Sequence, residues 1–420
     1  MHTGGVEEVA AIESVVWSRV ALISLGGFFE FYDLFFTGYI APGLVRSGIL
    51  TPSTPGLFGS TGVAGFVAAM FSGLFVGTAL VSFVADRFGR RTIFTWSLLW
   101  YTVASIVMAF QQHVFGLNLW RFISGIGVGV ELVTIDAYLS ELVPANLRGR
   151  AFAINQTIQF CAVPVVALLA WLLVPRTPLG LDGWRWVVLL GAAGAVLVWW
   201  IRRRVPESPR WLAQAVAPRG SFAEMWRPPY RTRSIMLIIF NLFQTVGFYG
   251  FSNWVPTLLI KRGIAITSSL EYTFMIAIAA PFGPLAAAAI ADRFERKWQI
   301  VASAAVIAVS GILFGQMSAA ALLISFGVVL TLSNNVLSFS CHAYQAELYP
   351  TRIRAVAVGF VYSFSRISVV FSSFVIGFVL DRFGVPGVFS LIAGSMLIVM
   401  LAIGLLGPRT NNLALETISK

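Results

Sequence analysis

Two short motifs recur in this chain at one spacing. Ala85–Arg91 reads ADRFGRR, and Ala291–Lys297 reads ADRFERK, 206 residues later. Glu141–Arg148 reads ELVPANLR, and Glu347–Arg354 reads ELYPTRIR, again 206 residues later. Two separate motifs matching at one offset imply duplication of a large unit, and so a fold of two similar halves. A third DRFG, at Asp381–Gly384, falls outside the repeat and is read as coincidence.

The repeated unit is a set of apolar helices. The 420 residues are 58% hydrophobic and 11% charged, with a mean hydropathy of +0.83. A soluble globular chain carries about 25% charge. The apolar segments are about 20 residues long, the length of a membrane-spanning helix rather than of an alternating barrel strand. Twelve helices are expected: 17–43, 60–84, 92–112, 117–142, 149–174, 185–203, 233–260, 268–291, 299–317, 320–346, 355–380 and 386–408. Residues 44–58 form a Pro-, Gly- and Ser-rich loop. The polar stretch 204–232, with five prolines, divides the spans six and six. The expected organisation is a first bundle at 1–203, an interdomain loop at 204–232 and a second bundle at 233–420. Transporters built from such repeats place their solute site between the halves.

The net charge of +11 is a matter of topology. Basic residues crowd alternate loops: Arg87, Arg90, Arg91, Arg148, Arg150, a run from Arg202 to Arg233, Arg293, Arg296, Lys297, Arg352, Arg354, Arg409 and Lys420. The intervening loops hold few: Arg46, Arg176, Arg185, Lys261, Arg262 and Arg382. By the positive-inside rule both termini are cytoplasmic, and no nucleic-acid partner is implied. The acidic start, without a basic n-region, is not read as a cleavable signal peptide. Cys161 and Cys341 lie in apolar segments and argue against a disulfide framework.

Gly26–Pro42, GGFFEFYDLFFTGYIAP, is apolar yet carries Glu30 and Asp33. Asp33 stands 14 residues from Arg19 and 13 from Arg46, near mid-membrane. An ionised acid there costs several kcal/mol unless it is paired, neutralised or facing water. It serves either transport or hydrogen bonding between helices. The repeat sorts such residues. Asp33 is matched by Ile239, Arg121 by Gly327, Glu131 by Leu337 and Arg366 by Phe160. Ionisable groups without a charged mate form a candidate pathway, whereas positions kept at the offset should serve scaffold and gating. That second set is Asp86, Arg87, Gly89, Arg90, Arg91, Glu141 and Arg148, with Asp292, Arg293, Glu347 and Arg354 in the other half.

At these residues the chain resembles the major facilitator superfamily, most closely its sugar porters, organic-ion transporters and bacterial metabolite:proton symporters. ADRFGRR is similar to the family's loop between helices two and three, with Ser82 where glycine is usual. RFISGIGVGVE, at Arg121–Glu131, is similar to the fourth-helix R-x-x-x-G-x-G-x-G, and VPESPRWL, at Val205–Leu212, to the signature after helix six. The second-half loop departs, with Glu295 in place of the motif glycine, which implies a less symmetric gate. The resemblance implies alternating access, with the loop charges latching the cytoplasmic side.

The resemblance also implies roles. Tyr32–Asp33 and Arg121 resemble the sugar porters' proton-coupling pair. An arginine nearby favours an ionised acid and burial favours a neutral one, so their relative movement would take up or release a proton. Arg121 could instead reach the headgroups. Glu30, one turn from Asp33, would resist joint ionisation and share the proton. Glu131 and Asp136 are further acids. Arg366 matches the arginine of organic-anion transporters, a fork for a carboxylate, or else pairs with Glu131. Gln156, Gln244, Tyr249 and Tyr362 join it as substrate residues. His342 stands where sugar porters carry a stacking tryptophan, and is either a pH-responsive ligand or a packing residue.

The leading expectation is a proton-coupled symporter of a small organic anion. One inward proton gains about 2.3 kcal/mol per 100 mV, enough to drive accumulation. A sugar or polyol symporter, a proton-driven exporter of amphipathic compounds and a non-transporting sensor are the alternatives. HExxH, GxSxG and Walker A motifs are absent, so an enzyme is not expected. Neither cofactor nor metal is implied. The expected partners are a small solute, protons and the bilayer, around a monomer.

Overall fold

The computed structural model describes residues 3–51, 54, 62–88, 90–143, 147–202, 222–290 and 293–410. These fold as helices: α1 Thr3–Arg46, α2 Val63–Phe88, α3 Arg90–Ala109, α4 Val114–Leu142, α5 Arg148–Phe160, α6 Ala162–Leu173 and α7 Gly183–Arg202. The second half holds α8 Tyr230–Ser252, α9 Val255–Lys261, α10 Ile266–Ala277, α11 Phe282–Ile290, α12 Arg296–Gln316, α13 Ala320–Glu347 and α14 Thr351–Leu406.

These elements account for the twelve expected spans. Three spans are interrupted, each beside a proline that lacks an N–H and crowds the preceding turn. Pro164 follows the α5–α6 break at Cys161, Pro256 follows the α8–α9 break at Asn253–Trp254, and Pro281 lies in the α10–α11 break with Pro284 just after it. The last two spans join in α14, where Gly384 turns the chain at φ 66°, a conformation that side-chain-bearing residues rarely adopt. The third DRFG thus has a local task, and its Asp381 pairs with Lys261 at 3.3 Å. The first helix begins well before the expected residue 17. The residues there, with alanines and glutamates and no proline, continue the helix beyond the apolar run.

Each half centres a core, and the first of them also takes in Phe248, Leu270 and Val369 from the second half. One is built around Phe36, Met70, Leu98 and Val187, the other around Phe240, Ile307, Leu330 and Phe389. Large apolar side chains also face outward, among them Phe115, Trp200, Phe371, Phe378 and Leu405. Such a surface suits lipid rather than water.

The glycines of the fourth-helix motif work with those of α2. A Cβ on Gly129 would meet the Leu74 carbonyl oxygen at 2.2 Å, and one on Gly77 would meet that of Ile126 at 2.1 Å. The two backbones touch, as small-residue stripes permit between membrane helices. On the face away from the arginine-rich loops the halves also close on each other. Gly38 lies against the Asn253 backbone, Gly377 against Ala64, and Trp171 stacks on Phe274 with centroids 5.7 Å apart.

Gly129→Val should therefore force α2 and α4 apart, at a cost of about 1–3 kcal/mol. A lowered unfolding temperature in detergent is the expected result, and wild-type stability would contradict the contact.

Candidate functional site

Asp33 and Arg121 come together at full burial. Arg121 on α4 donates to the Asp33 carboxylate at 2.8 Å, and also to the Asp33 carbonyl and the Thr37 hydroxyl. Its guanidinium lies 4.3 Å from the Phe36 ring centre. It has no exposed surface, so the alternative of reaching the headgroups is removed. Ser105 on α3 donates to the other carboxylate oxygen at 2.7 Å, and Ser124 on α4 donates at 3.1 Å to the oxygen that Arg121 holds. Three helices are thus tied through one acid. Tyr32 donates to the Val187 carbonyl of α7 at 2.6 Å. That bond fixes the rotation of α1.

Glu30 points elsewhere. It lines a central cavity between the two halves, whose walls do not include Asp33. The cavity volume is about 70 Å³. Gln156, Gln244, Tyr249, His342, Tyr362 and Arg366 all line it, so the sequence-predicted substrate residues do meet. The lining positions on α5, α13 and α14 lie nearer the arginine-rich ends of their spans. Phe31, Phe35, Phe160 and Phe248 form an aromatic wall, with Phe31 and Phe160 edge to face at 5.1 Å.

Arg366 is 1% exposed. It donates to the Tyr249 hydroxyl at 3.2 Å and the Tyr362 hydroxyl at 3.0 Å, and its guanidinium lies 4.8 Å from the Tyr362 ring centre. The His342 ring centre is 5.1 Å from that of Tyr362. Pairing of Arg366 with Glu131 is not what the fold provides. Glu131 is buried on α4 but does not line the cavity, because its neighbour Leu132 takes that face. Glu30 is the acid that shares the cavity, and its charge acts on Arg366.

The walls obey the repeat. Leu132 and Ser338, Gln156 and Tyr362, Gln159 and Ser365, and Phe160 and Arg366 are each 206 residues apart, and all eight line the cavity. Equivalent positions of the two halves thus face one another across a pseudo-twofold axis. Gln159, Ser365 and Ser338 were not singled out by the sequence reading, although adding the offset to neighbours of Gln156 and Arg366 would have found two of them. Ser105 and Ser124 were also missed, since hydroxyls within spans carry no distinctive signal.

At the arginine-rich face, Glu347 at the end of α13 forms an ion pair with Arg296 at the start of α12. Its partner is therefore Arg296, and Arg293 is exposed. Arg354 donates to the Tyr349 carbonyl at 3.1 Å. Glu295, at the motif's glycine position, has an ordinary φ of −59°, so the turn needs no glycine there. Its carboxylate instead accepts the Thr410 N–H at 2.8 Å. The side chains of Asp86, Arg87, Arg90, Arg91, Asp136, Glu141 and Arg148, and the whole of Gly89 and Asp292, lie outside the described residues.

A Bacillus subtilis protein named for metabolite transport, YyaJ, is 30% identical over 95% of this chain and 94% of its own. The niacin transporter NiaP of Acinetobacter baylyi is 28% identical over 94% of this chain and 95% of its own. An inward-open structure of the xylose transporter XylE from E. coli has a TM-score of 0.77, covering 96% of this chain and 99% of that one at 21% identity, which is a likeness of fold. The twelve spans, the 206-residue repeat and the central cavity agree with these findings. The chain belongs to the Major Facilitator Superfamily, whose profile matches residues 23–331 and 269–417, and it is a multi-pass membrane transporter of metabolites rather than an enzyme.

Proposed function

We propose that the protein is a proton-coupled symporter that imports a small organic carboxylate, with an aromatic ring as the preferred body. The observation that carries this reading is Arg366, buried in the central cavity between two tyrosine hydroxyls and beside a phenylalanine wall. A guanidinium held by neutral phenols keeps its charge for an anion, and its planar fork suits a carboxylate. The aromatic wall supplies apolar and edge-to-face contacts for a ring. The relative named as a niacin transporter supports the same class, since niacin is an aromatic carboxylic acid.

On this reading the arginine-rich face is cytoplasmic, both termini lie there, and the carrier works as a monomer in the plasma membrane. The contacts at the opposite face would then close the outside while the cavity serves the cytoplasmic side. The Arg296–Glu347 pair would belong to the cytoplasmic latch, with the loop charges of the first half as its counterpart. Two acids of α1 are available for coupling, Asp33 in its three-helix network and Glu30 in the cavity.

A sugar or polyol is the second reading. Four glutamines, Gln156, Gln159, Gln244 and Gln345, line the cavity, and amides suit hydroxyls. Gln345 is already engaged, accepting from Asn241 at 3.0 Å, and Arg366 would have no anionic ligand to meet.

Purified protein in liposomes, with acid outside, should accumulate nicotinate or 4-hydroxybenzoate above protein-free vesicles and should not accumulate xylose. Uptake of xylose with neither acid would overturn the carboxylate reading. Arg366→Ala should raise the half-saturating concentration of the acid about thirtyfold or more, the loss expected for a buried charged pair. Arg366→Lys should fall between, having charge without the fork. An unchanged affinity in Arg366→Ala would remove that residue from the site.

Asp33→Asn leaves Arg121 buried without its counter-charge. A cost of about 3–5 kcal/mol is expected, read as a lower unfolding temperature together with impaired transport. Wild-type stability would show that the pair is not what holds α1, α3 and α4 together.

A further inference from the structure

The two acids of the first helix face different compartments, and this separates their tasks. Asp33 is closed in by Arg121, Ser105 and Ser124, outside the central cavity. Glu30 stands inside it, on the same surface as Arg366. The other titratable groups facing that space are Tyr249 of α8, Cys341 and His342 of α13 and Tyr362 of α14, while α5 offers amides and a phenylalanine. Glu131 of α4 is buried one residue from the lining Leu132. Among the described residues that line the cavity, one is a carboxylic acid, Glu30, and one carries a guanidinium, Arg366. With Glu30 ionised, the empty site is balanced. A carboxylate arriving at Arg366 would leave it with a net negative charge in a low-dielectric enclosure, which is costly unless a proton enters as well.

We propose that Glu30 is the group that takes up this proton, so that each cycle carries one carboxylate and one proton with no net charge. The inference rests on the carboxylate reading above. On the outer side a proton from water adds to the Glu30 carboxylate as the anion seats on Arg366. On the inner side the O–H bond breaks, the proton returns to water, and Glu30 again balances Arg366 as the anion leaves. A neutral, protonated Glu30 also offers one O–H donor to a polar atom of the substrate. Asp33, bonded to Arg121, Ser105 and Ser124, positions the helices. Transport of this kind responds to the pH gradient and not to the membrane potential.

The probes are the nicotinate and 4-hydroxybenzoate of the uptake assay, and two measurements test the inference. In liposomes clamped with potassium and valinomycin, accumulation above protein-free vesicles should be the same at zero and at 100 mV. Movement of one net charge would instead change the ratio about fiftyfold, and that result overturns the proposal without touching the carboxylate reading. In direct binding to detergent-solubilised protein, affinity should fall about tenfold per pH unit above the titration of Glu30, as one linked proton requires. Glu30→Gln should abolish that slope and the pH-driven accumulation together. If the slope survives in Glu30→Gln, the linked proton sits on Asp33, His342 or Glu131 and the assignment is wrong. The voltage measurement needs no variant, so a misfolded Glu30→Gln leaves the test intact. Should neither acid be carried by the wild type, it is the carboxylate reading that fails.

Discussion

A charge within an apolar slab must have its opposite beside it, and the interior of this protein is arranged around that requirement. Arg121 and Arg366 are both removed from solvent at membrane depth. One is answered by Asp33 at 2.8 Å, with serine hydroxyls completing the carboxylate's bonds. The other is held by two phenols and shares its cavity with Glu30. The first arrangement has every group close at hand and reads as a fastening between helices. The second leaves room near a guanidinium, which is where a mobile anion can bind. Burial alone does not distinguish them; the cavity does.

Duplication explains where that cavity lies, and divergence explains what it recognises. Four pairs of repeat-related positions face each other across it. Where one half presents Gln156 and Phe160, the other presents Tyr362 and Arg366. The backbone scaffold is shared and the side chains are not. A site on a pseudo-twofold axis touches both halves, so a solute bound there can register their relative movement. The glycine contacts between α2 and α4 belong to the opposite category. They hold two helices of one half in direct backbone contact.

Much of this could be read in the chain before any coordinates. The repeat offset and the apolar segment lengths give twelve spans in two sets, because hydrophobic length and duplication are written directly in residue order. Arg366 and the Asp33–Arg121 pair stood out because charges in apolar runs are rare. The rotation of each helix was not legible. Glu30 and Asp33, three residues apart, point about 60° from each other around a helix. That angle sends one into the cavity and the other into the α3–α4 contact, depending on how α1 is turned. Tyr32 fixes the turn through a bond to a carbonyl in α7, a partner 155 residues away that no local pattern announces. The same holds for Ser105 and Ser124, and for Glu347, whose partner proved to be Arg296. The gating charges of the first half lie outside the described residues and stand as sequence expectations.

The central claim is that a carboxylate seats on Arg366 within this cavity. A structure solved with nicotinate or 4-hydroxybenzoate bound tests it most directly. The account predicts the carboxylate within hydrogen-bonding distance of the Arg366 guanidinium, flanked by Tyr249 and Tyr362, with the ring against Phe31, Phe160 or Phe248. A ligand held instead at Arg121, or in the cavity with its carboxylate turned away from Arg366, would contradict it.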